Sequence, residues 1–190
     1  MILSILICSV DNRIEKHLIP LFDKINDQIN KLEDPSIVEV LVFTDNRRRS
    51  IGYKRQSLLD IANGKYVCWI DDDDSIEDNY VSKLVLGCKS NCDVVTFKQH
   101  VIINGSNSYT LIFDIEQKEN EEAKQPYFKR PPWHVCPIKR EIAVLAKFPD
   151  LMYGEDWLWM SQIINKLSTA YHIDEYLCTY IYDDNITLAK

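Results

Sequence analysis

No stretch of the sequence reaches the ~18 consecutive apolar residues that a bilayer-crossing helix needs, which excludes an integral membrane segment. Positive charge is in deficit: 22 Lys and Arg stand against 29 Asp and Glu, for a net charge of −7 at pH 7. That balance argues against nucleic acid as a partner, although Arg47, Arg48 and Arg49, with Lys54 and Arg55, form a local cluster suited to a small polyanion. Paired metal-ligand spacing is also missing. Cys88 and Cys92 make a half-site, but no second Cys/His pair with finger-like spacing follows. The six cysteines mostly sit inside apolar runs, as reduced core cysteines do, which points to a soluble protein of the reducing cytoplasm. The opening Met1 to Cys8 is apolar but has no basic leader and no small-residue cleavage site, so it reads as a first buried strand and not a signal peptide. There is no internal repeat and no low-complexity tract.

What is present is a 190-residue chain, 46% hydrophobic and 11% aromatic, enough for a single α/β domain with a sizeable core. Apolar runs predict strands at 3–8, 37–43, 66–70 and 93–97. Between them lie an amphipathic helix carrying Leu18, Leu21, Phe22, Ile25, Ile29 and Leu32, a helix over 53–63, and another over 77–88. Pro20 is expected to kink or restart the first helix, and Gly64 to close the second in a left-handed cap. A β-α-β-α-β-α-β series implies a mostly parallel sheet, whose ligands gather outside the carboxyl ends of the strands. Asp11, Asp45 and Asp71 to Asp74 all fall at those ends. Beyond residue 97 the pattern predicts a hairpin about Asn104, Gly105, Ser106 and Asn107, and a surface loop over 116–125. A strand over 133–138, a helix over 155–167 and a last strand over 176–182 complete the reading.

The densest chemistry is at Asp71, Asp72, Asp73 and Asp74, directly after the apolar run 66–70. Adjacent carboxylates repel, and withdrawing one from water costs several kcal/mol unless it is paired. Hard oxygen ligands suit Mg²⁺ or Mn²⁺, and a divalent cation bound to a diphosphate would neutralise the run. A solvated acidic turn that starts the next helix, with Ser75 and Asp78 as a capping-box variant, is the other reading.

Four segments together resemble the family 2 glycosyltransferases of the GT-A fold, in their short bacterial, phage and large-DNA-virus form. They are Ile5-Leu6-Ile7-Cys8-Ser9, Ser50-Ile51-Gly52-Tyr53-Lys54-Arg55-Gln56, Gly64-Lys65-Tyr66 through Asp74, and Tyr153-Gly154-Glu155-Asp156. They span nearly the whole chain. The resemblance implies one catalytic domain over 1–190, with a nucleotide-sugar-binding half (1–97) and an acceptor-binding half (98–190). It also implies inverting transfer of a sugar from a nucleotide diphosphate donor, most often UDP-linked, to a hydroxyl of a carbohydrate or glycoconjugate acceptor.

By the same resemblance, Asp73 binds the Mn²⁺ or Mg²⁺, Asp71 lies near the donor ribose, and Asp72 belongs to the same nucleotide-binding motif. Asp45 faces the base with Ser9 beside it, and Arg55 faces the nucleotide. Asp156 is the general base and Glu155 its acidic neighbour. An acid in a first helical turn is favoured whatever its function, but there the helix N-terminus also fixes and stabilises a carboxylate base. Trp133, His134, Tyr153 and Trp157 cluster in sequence around that base and are expected at the acceptor or sugar, while Trp157 or Trp159 could instead fill the core.

Two positions depart from the family. Asp183 stands where many relatives carry a metal- or phosphate-reaching histidine, and Gln56 where an asparagine is common. Rival readings are a sugar-phosphate nucleotidyltransferase, an aspartate-nucleophile phosphatase and a non-catalytic nucleotide- or carbohydrate-binding module. The first usually opens with a glycine-rich basic loop where this chain has Ser9-Val10-Asp11-Asn12-Arg13. The second usually carries its Asp-x-Asp after the first strand, not the third.

Overall fold

A computed structural model of the chain describes residues 1–105, 107–118 and 127–182. Ser106, most of the 116–125 loop and Asp183 lie outside these residues. Strand β1 (Leu3–Val10) is buried along its whole length, as a strand covered on both faces must be. It pairs in parallel with β2 (Val38–Asp45) on one side and β3 (Tyr66–Trp69) on the other. Helix α1 (Ile19–Ile29) carries Pro20 in its first turn, where the missing N–H costs nothing, so the proline starts the helix after a single π turn at Ile14–Leu18. Helix α2 (Ile51–Ile61) leads back to β3.

The second half builds outward from β3. A two-residue strand β4 (Ser75–Ile76) and helix α3 (Tyr80–Lys89) precede β5 (Val94–Ile103), which forms the expected hairpin with β6 (Asn107–Phe113). Strand β7 (Tyr127–Arg130) runs parallel to β6, and β8 (Ile138–Lys139) leads into the short helix α4 (Arg140–Ala143). Helix α5 (Glu155–Ile163) and a 3₁₀ turn at Ile164–Lys166 come before β9 (Ala170–Tyr182), which pairs with β5 and β4. The sheet order is β2-β1-β3-β8-β5-β6-β7. This is the mixed, mostly parallel α/β arrangement that the order of elements implied. Among the described residues no helix is long and apolar enough to cross a membrane.

Several local expectations are corrected. The fourth long strand does not neighbour β3; the short antiparallel β8 lies between them. The 133–138 strand is mostly a turn, closed by the Cys136 N–H donating to the Trp133 carbonyl at 2.9 Å. Pro131, Pro132 and Pro137 withhold the ladder donors that a strand there would need. Ser75 lies in β4, and α3 begins five residues later with Asn79 as its N-cap and no side-chain cap bond, so the capping box does not form. Asp78 instead pairs with Lys24 at 3.0 Å on the surface.

Gly64 is not a left-handed cap. The α2 C-cap is Ala62, in an extended conformation. Gly64 is required because its backbone presses on β1, with its N–H donating to Ser4 Oγ at 2.8 Å. A Cβ there would sit 2.5 Å from Ser4 N and 2.7 Å from Leu3 C, both main-chain atoms of a buried strand. Gly64→Ala should therefore destabilise the protein by about 1–3 kcal/mol, read as a lower urea midpoint with an unchanged m-value. An unchanged midpoint would show that the chain yields there.

Candidate active site

The carboxyl ends of β1, β2 and β3 bring the first set of groups together. The Asp45 carboxylate accepts hydrogen bonds from the backbone N–H of Arg47 (3.2 Å) and Arg49 (2.8 Å) and pairs with Lys54 Nζ. Burial works to raise its pKa, but these partners hold it below the usual carboxylate range. Lys54, itself buried on α2, also donates to the Ser9 carbonyl at 2.7 Å, tying the ends of β1 and β2 to the helix.

The four aspartates divide by direction. Asp71, Asp72 and Asp73 line a cavity of about 520 Å³; Asp74 does not. Asp74 is buried and accepts the Ile181 N–H of β9 at 3.2 Å, while its own N–H closes a turn onto the Asp71 carbonyl. Asp72 accepts from Ser9 Oγ at 2.5 Å and lies 2.9 Å from Arg13 Nη2. Asp73 Oδ2 is 2.6 Å from the same nitrogen, and Asp71 Oδ1 is 3.0 Å from Arg55 Nη2. Burial pushes Asp72 up to about 6. It also raises Asp71, against the pull of Arg55 and with the push of Asp73 and Asp156, and lifts Asp74 well above its usual value.

Helix α5 supplies the opposite wall. Gly154, at φ 71°, turns the chain into the helix and places Glu155 and Asp156 in its first turn. Glu155 is buried 3.3 Å from Arg55 Nε, so one guanidinium joins Asp71 of the first set to Glu155 of the second. Desolvation raises Glu155 to about 7 despite that arginine. Asp156 lines the cavity and accepts from Trp133 Nε1 at 2.9 Å and from the Trp157 N–H at 2.7 Å. His134 Nδ1 is 3.4 Å from the same carboxylate, and its Nε2 is 3.9 Å from Asp71 Oδ2. Burial, then Arg55 and Arg130, holds the His134 pKa well below its usual value, so the imidazole is neutral.

Of the four residues expected at the acceptor or sugar, only Tyr153 lines the cavity. Trp133 and His134 are buried behind Asp156, with the Trp133 ring stacked on Trp157 at 5.4 Å and covered by the Arg130 guanidinium at 3.6 Å. Trp159 is core: its ring packs on Trp69 at 5.3 Å and Phe148 at 4.5 Å. The two walls are further joined by α2. Ser50 caps that helix, accepting from the Tyr53 N–H at 3.0 Å, and also bonds Asp150. Gln56 Oε1 accepts the Phe148 N–H at 2.9 Å. Lys54 belonged to the basic cluster read from the sequence, but its pairing with Asp45 did not show there, and Arg13 was not singled out as a site residue. The signal available was the acid run itself, which demands buried cations that only the fold can bring near.

Among the described residues no three His, Cys, Asp or Glu side chains converge to hold a metal ion by themselves. Strand-end carboxylates on a mostly parallel sheet, faced by an acidic helix N-terminus across one cavity, are the arrangement of a GT-A glycosyltransferase. The chain belongs to glycosyl transferase family 2, whose pattern matches residues 13–143. No curated protein matches it by sequence. Among solved structures, residues 1–349 of S. aureus TarS in complex with UDP-GlcNAc superpose with a TM-score of 0.67 at 16% identity, over 97% of this chain and 59% of that one. The same TarS fragment in complex with UDP gives a TM-score of 0.69 at 15% identity, over 96% and 61%. The chain thus spans about three fifths of that fragment's length, and at this identity the likeness is one of fold.

Glu155 yields a pH prediction. Its folded pKa of about 7 lies above its ordinary 4.5, so the fold favours the protonated form. That stabilisation is complete below the unfolded value and is lost as pH rises through about 7. Glu155→Gln should gain thermal stability relative to the parent between about pH 5 and about pH 8, by about 2–4 °C for each kcal/mol recovered in a chain of this size. Parallel melting curves that keep a constant offset across that window would contradict the raised pKa.

Proposed function

We propose that the protein is a metal-dependent, inverting glycosyltransferase that moves a sugar from a nucleotide diphosphate donor, UDP-linked by preference, to an acceptor hydroxyl with Asp156 as general base. The observation that carries this reading is that Asp71 and Asp73, at the end of β3, share one cavity with Asp156 of α5. The likeness to TarS in complex with UDP-GlcNAc and with UDP supports the choice of nucleotide. In this reading residues 1–97 form the donor half and 98–190 the acceptor half, with a carbohydrate or glycoconjugate as acceptor.

The donor set fits a hard divalent cation. Sites of this kind use one or two carboxylates and complete their shell with substrate phosphate oxygens, and Asp73, with Asp71 beside it, offers that set. Bound there, Mn²⁺ or Mg²⁺ would neutralise charge developing on the departing diphosphate. The protein's own residues do the rest. In this reading the nucleoside end lies at Ser9, which lines the cavity, and at Asp45, which does not line it but pairs with the lining residue Lys54. Arg55 holds Asp71 at the ribose and, through Glu155, fixes the start of α5.

The Trp133 indole N–H and the Trp157 backbone N–H keep Asp156 in one orientation. The acceptor oxygen attacks the anomeric carbon on the face opposite the diphosphate and its proton passes to Asp156. The bond from carbon to the diphosphate oxygen breaks, and the configuration inverts. Asp156 acts mainly by position, since effective proximity supplies much of the gain.

Asp156→Asn should bind UDP with Mn²⁺ as the parent does but lose about 10²–10⁴-fold in turnover, measured as UDP released from a UDP-sugar in the presence of acceptor. Normal transfer by that variant would remove Asp156 from the mechanism. Asp73→Ala should make nucleotide binding insensitive to EDTA in calorimetry, whereas a retained metal dependence would place the cation elsewhere. Release of UDP only when acceptor is added separates transfer from mere binding.

A further inference from the structure

Arg13 stands where the proposed cation would act. It sits at the junction of a 3₁₀ turn (Asp11–Arg13) and the π turn that follows, is 8% exposed, and lines the cavity. A single nitrogen, Nη2, makes both of its ion contacts, to Asp73 Oδ2 and Asp72 Oδ1. Those contacts are close but not aligned as hydrogen bonds, and among the described residues the buried Nε also has no hydrogen-bond partner. A guanidinium carries five N–H donors in a planar fork that matches a phosphate bidentately. Here that fork is desolvated and poorly used. Asp73 is in turn committed: a divalent cation on its carboxylate would lie against a guanidinium 2.6 Å from the same oxygen, and like charges that close repel strongly in a site shielded from water.

We propose that Arg13 is a counter-ion latch, which occupies Asp73 in the free protein and yields it to a divalent cation when a diphosphate draws the guanidinium away. The proposal rests on the diphosphate-donor reading for its second half only; the competition between Arg13 and metal stands on the ion pair alone. The π turn after Arg13 is a kind of element concentrated at functional sites, and a residue at its edge can shift without breaking α1. The consequence is reciprocal coupling: metal and diphosphate each bind weakly alone and strengthen one another.

The test is Mn²⁺ binding without nucleotide, followed by electron paramagnetic resonance of free Mn²⁺, for the parent, Arg13→Gln and Arg13→Lys. Inorganic pyrophosphate and UDP are then titrated separately at saturating Mn²⁺. Arg13→Gln should bind Mn²⁺ alone about tenfold tighter yet bind pyrophosphate and UDP about tenfold weaker. Arg13→Lys, which keeps the charge without the fork, should stay near the parent for Mn²⁺ and lose part of the pyrophosphate affinity, so it carries the test if Arg13→Gln does not fold. A merely structural arginine would weaken both ligands together. Unchanged or weaker Mn²⁺ binding by Arg13→Gln, or unchanged pyrophosphate binding by both variants, overturns the latch. If the parent fails to bind UDP while the Mn²⁺ and pyrophosphate shifts persist, the latch holds and the donor reading fails.

Discussion

Charge compensation without water is the constraint on which this structure turns. A fully buried strand, β3, ends in four successive carboxylates, and each must find a cation, a dipole or a proton. Asp74 finds a backbone N–H of β9, Asp72 a serine hydroxyl and half of Arg13, Asp73 the other half, and Asp71 one arm of Arg55. Lys54 does the same for Asp45 at the end of β2, on the far side of β1. The compensation is incomplete. Burial makes Asp71, Asp72 and Glu155, which line the cavity, and Asp74, which does not, harder to ionise than free carboxylic acids. A diphosphate arriving alone would add negative charge to that desolvated wall, and a divalent cation arriving with it would offset the addition.

Arg55 is the element through which this electrostatics becomes architecture. Buried on α2, it reaches Asp71 with one nitrogen and Glu155 with another. Its helix is held against the chain before α5 by Gly52, whose N–H meets the Leu151 carbonyl at 3.1 Å and which has no room for a side chain against the Pro149 carbonyl. The two walls of the cavity therefore share one rigid spacer.

The frame of the fold could be read from the sequence because β1, β2 and β3 are long apolar runs, and because strand-end aspartates announce which sheet edge matters. The failures have separate physical causes. Strand β8 contributes only two residues to the sheet, too few for any periodicity, and the proline-rich segment before it mimics a strand in hydrophobicity alone. Gly64 has the same sequence signature whether it supplies a left-handed turn or clearance for a neighbouring backbone, and only packing on Ser4 distinguishes them. The acids at positions 71, 73 and 156 were visible as a motif, and the structure brings them to one cavity. Their contacts were not: Trp133 and His134 stood out as site candidates but not as neighbours of the Asp156 carboxylate, and Arg13 acquires meaning only from acids far along the chain. Trp133, expected at the acceptor or sugar, is buried and donates its indole N–H to Asp156.

The packing of Trp69 and Phe148 on Trp159 has a kinetic side. Trp69 lies about 80 residues from Phe148 and about 90 from Trp159, and closing so long a loop costs entropy before any contact is gained. The acids after Trp69 and the acids before Trp159 are thus held opposite one another by a non-local contact, of the kind whose loop-closure cost slows folding.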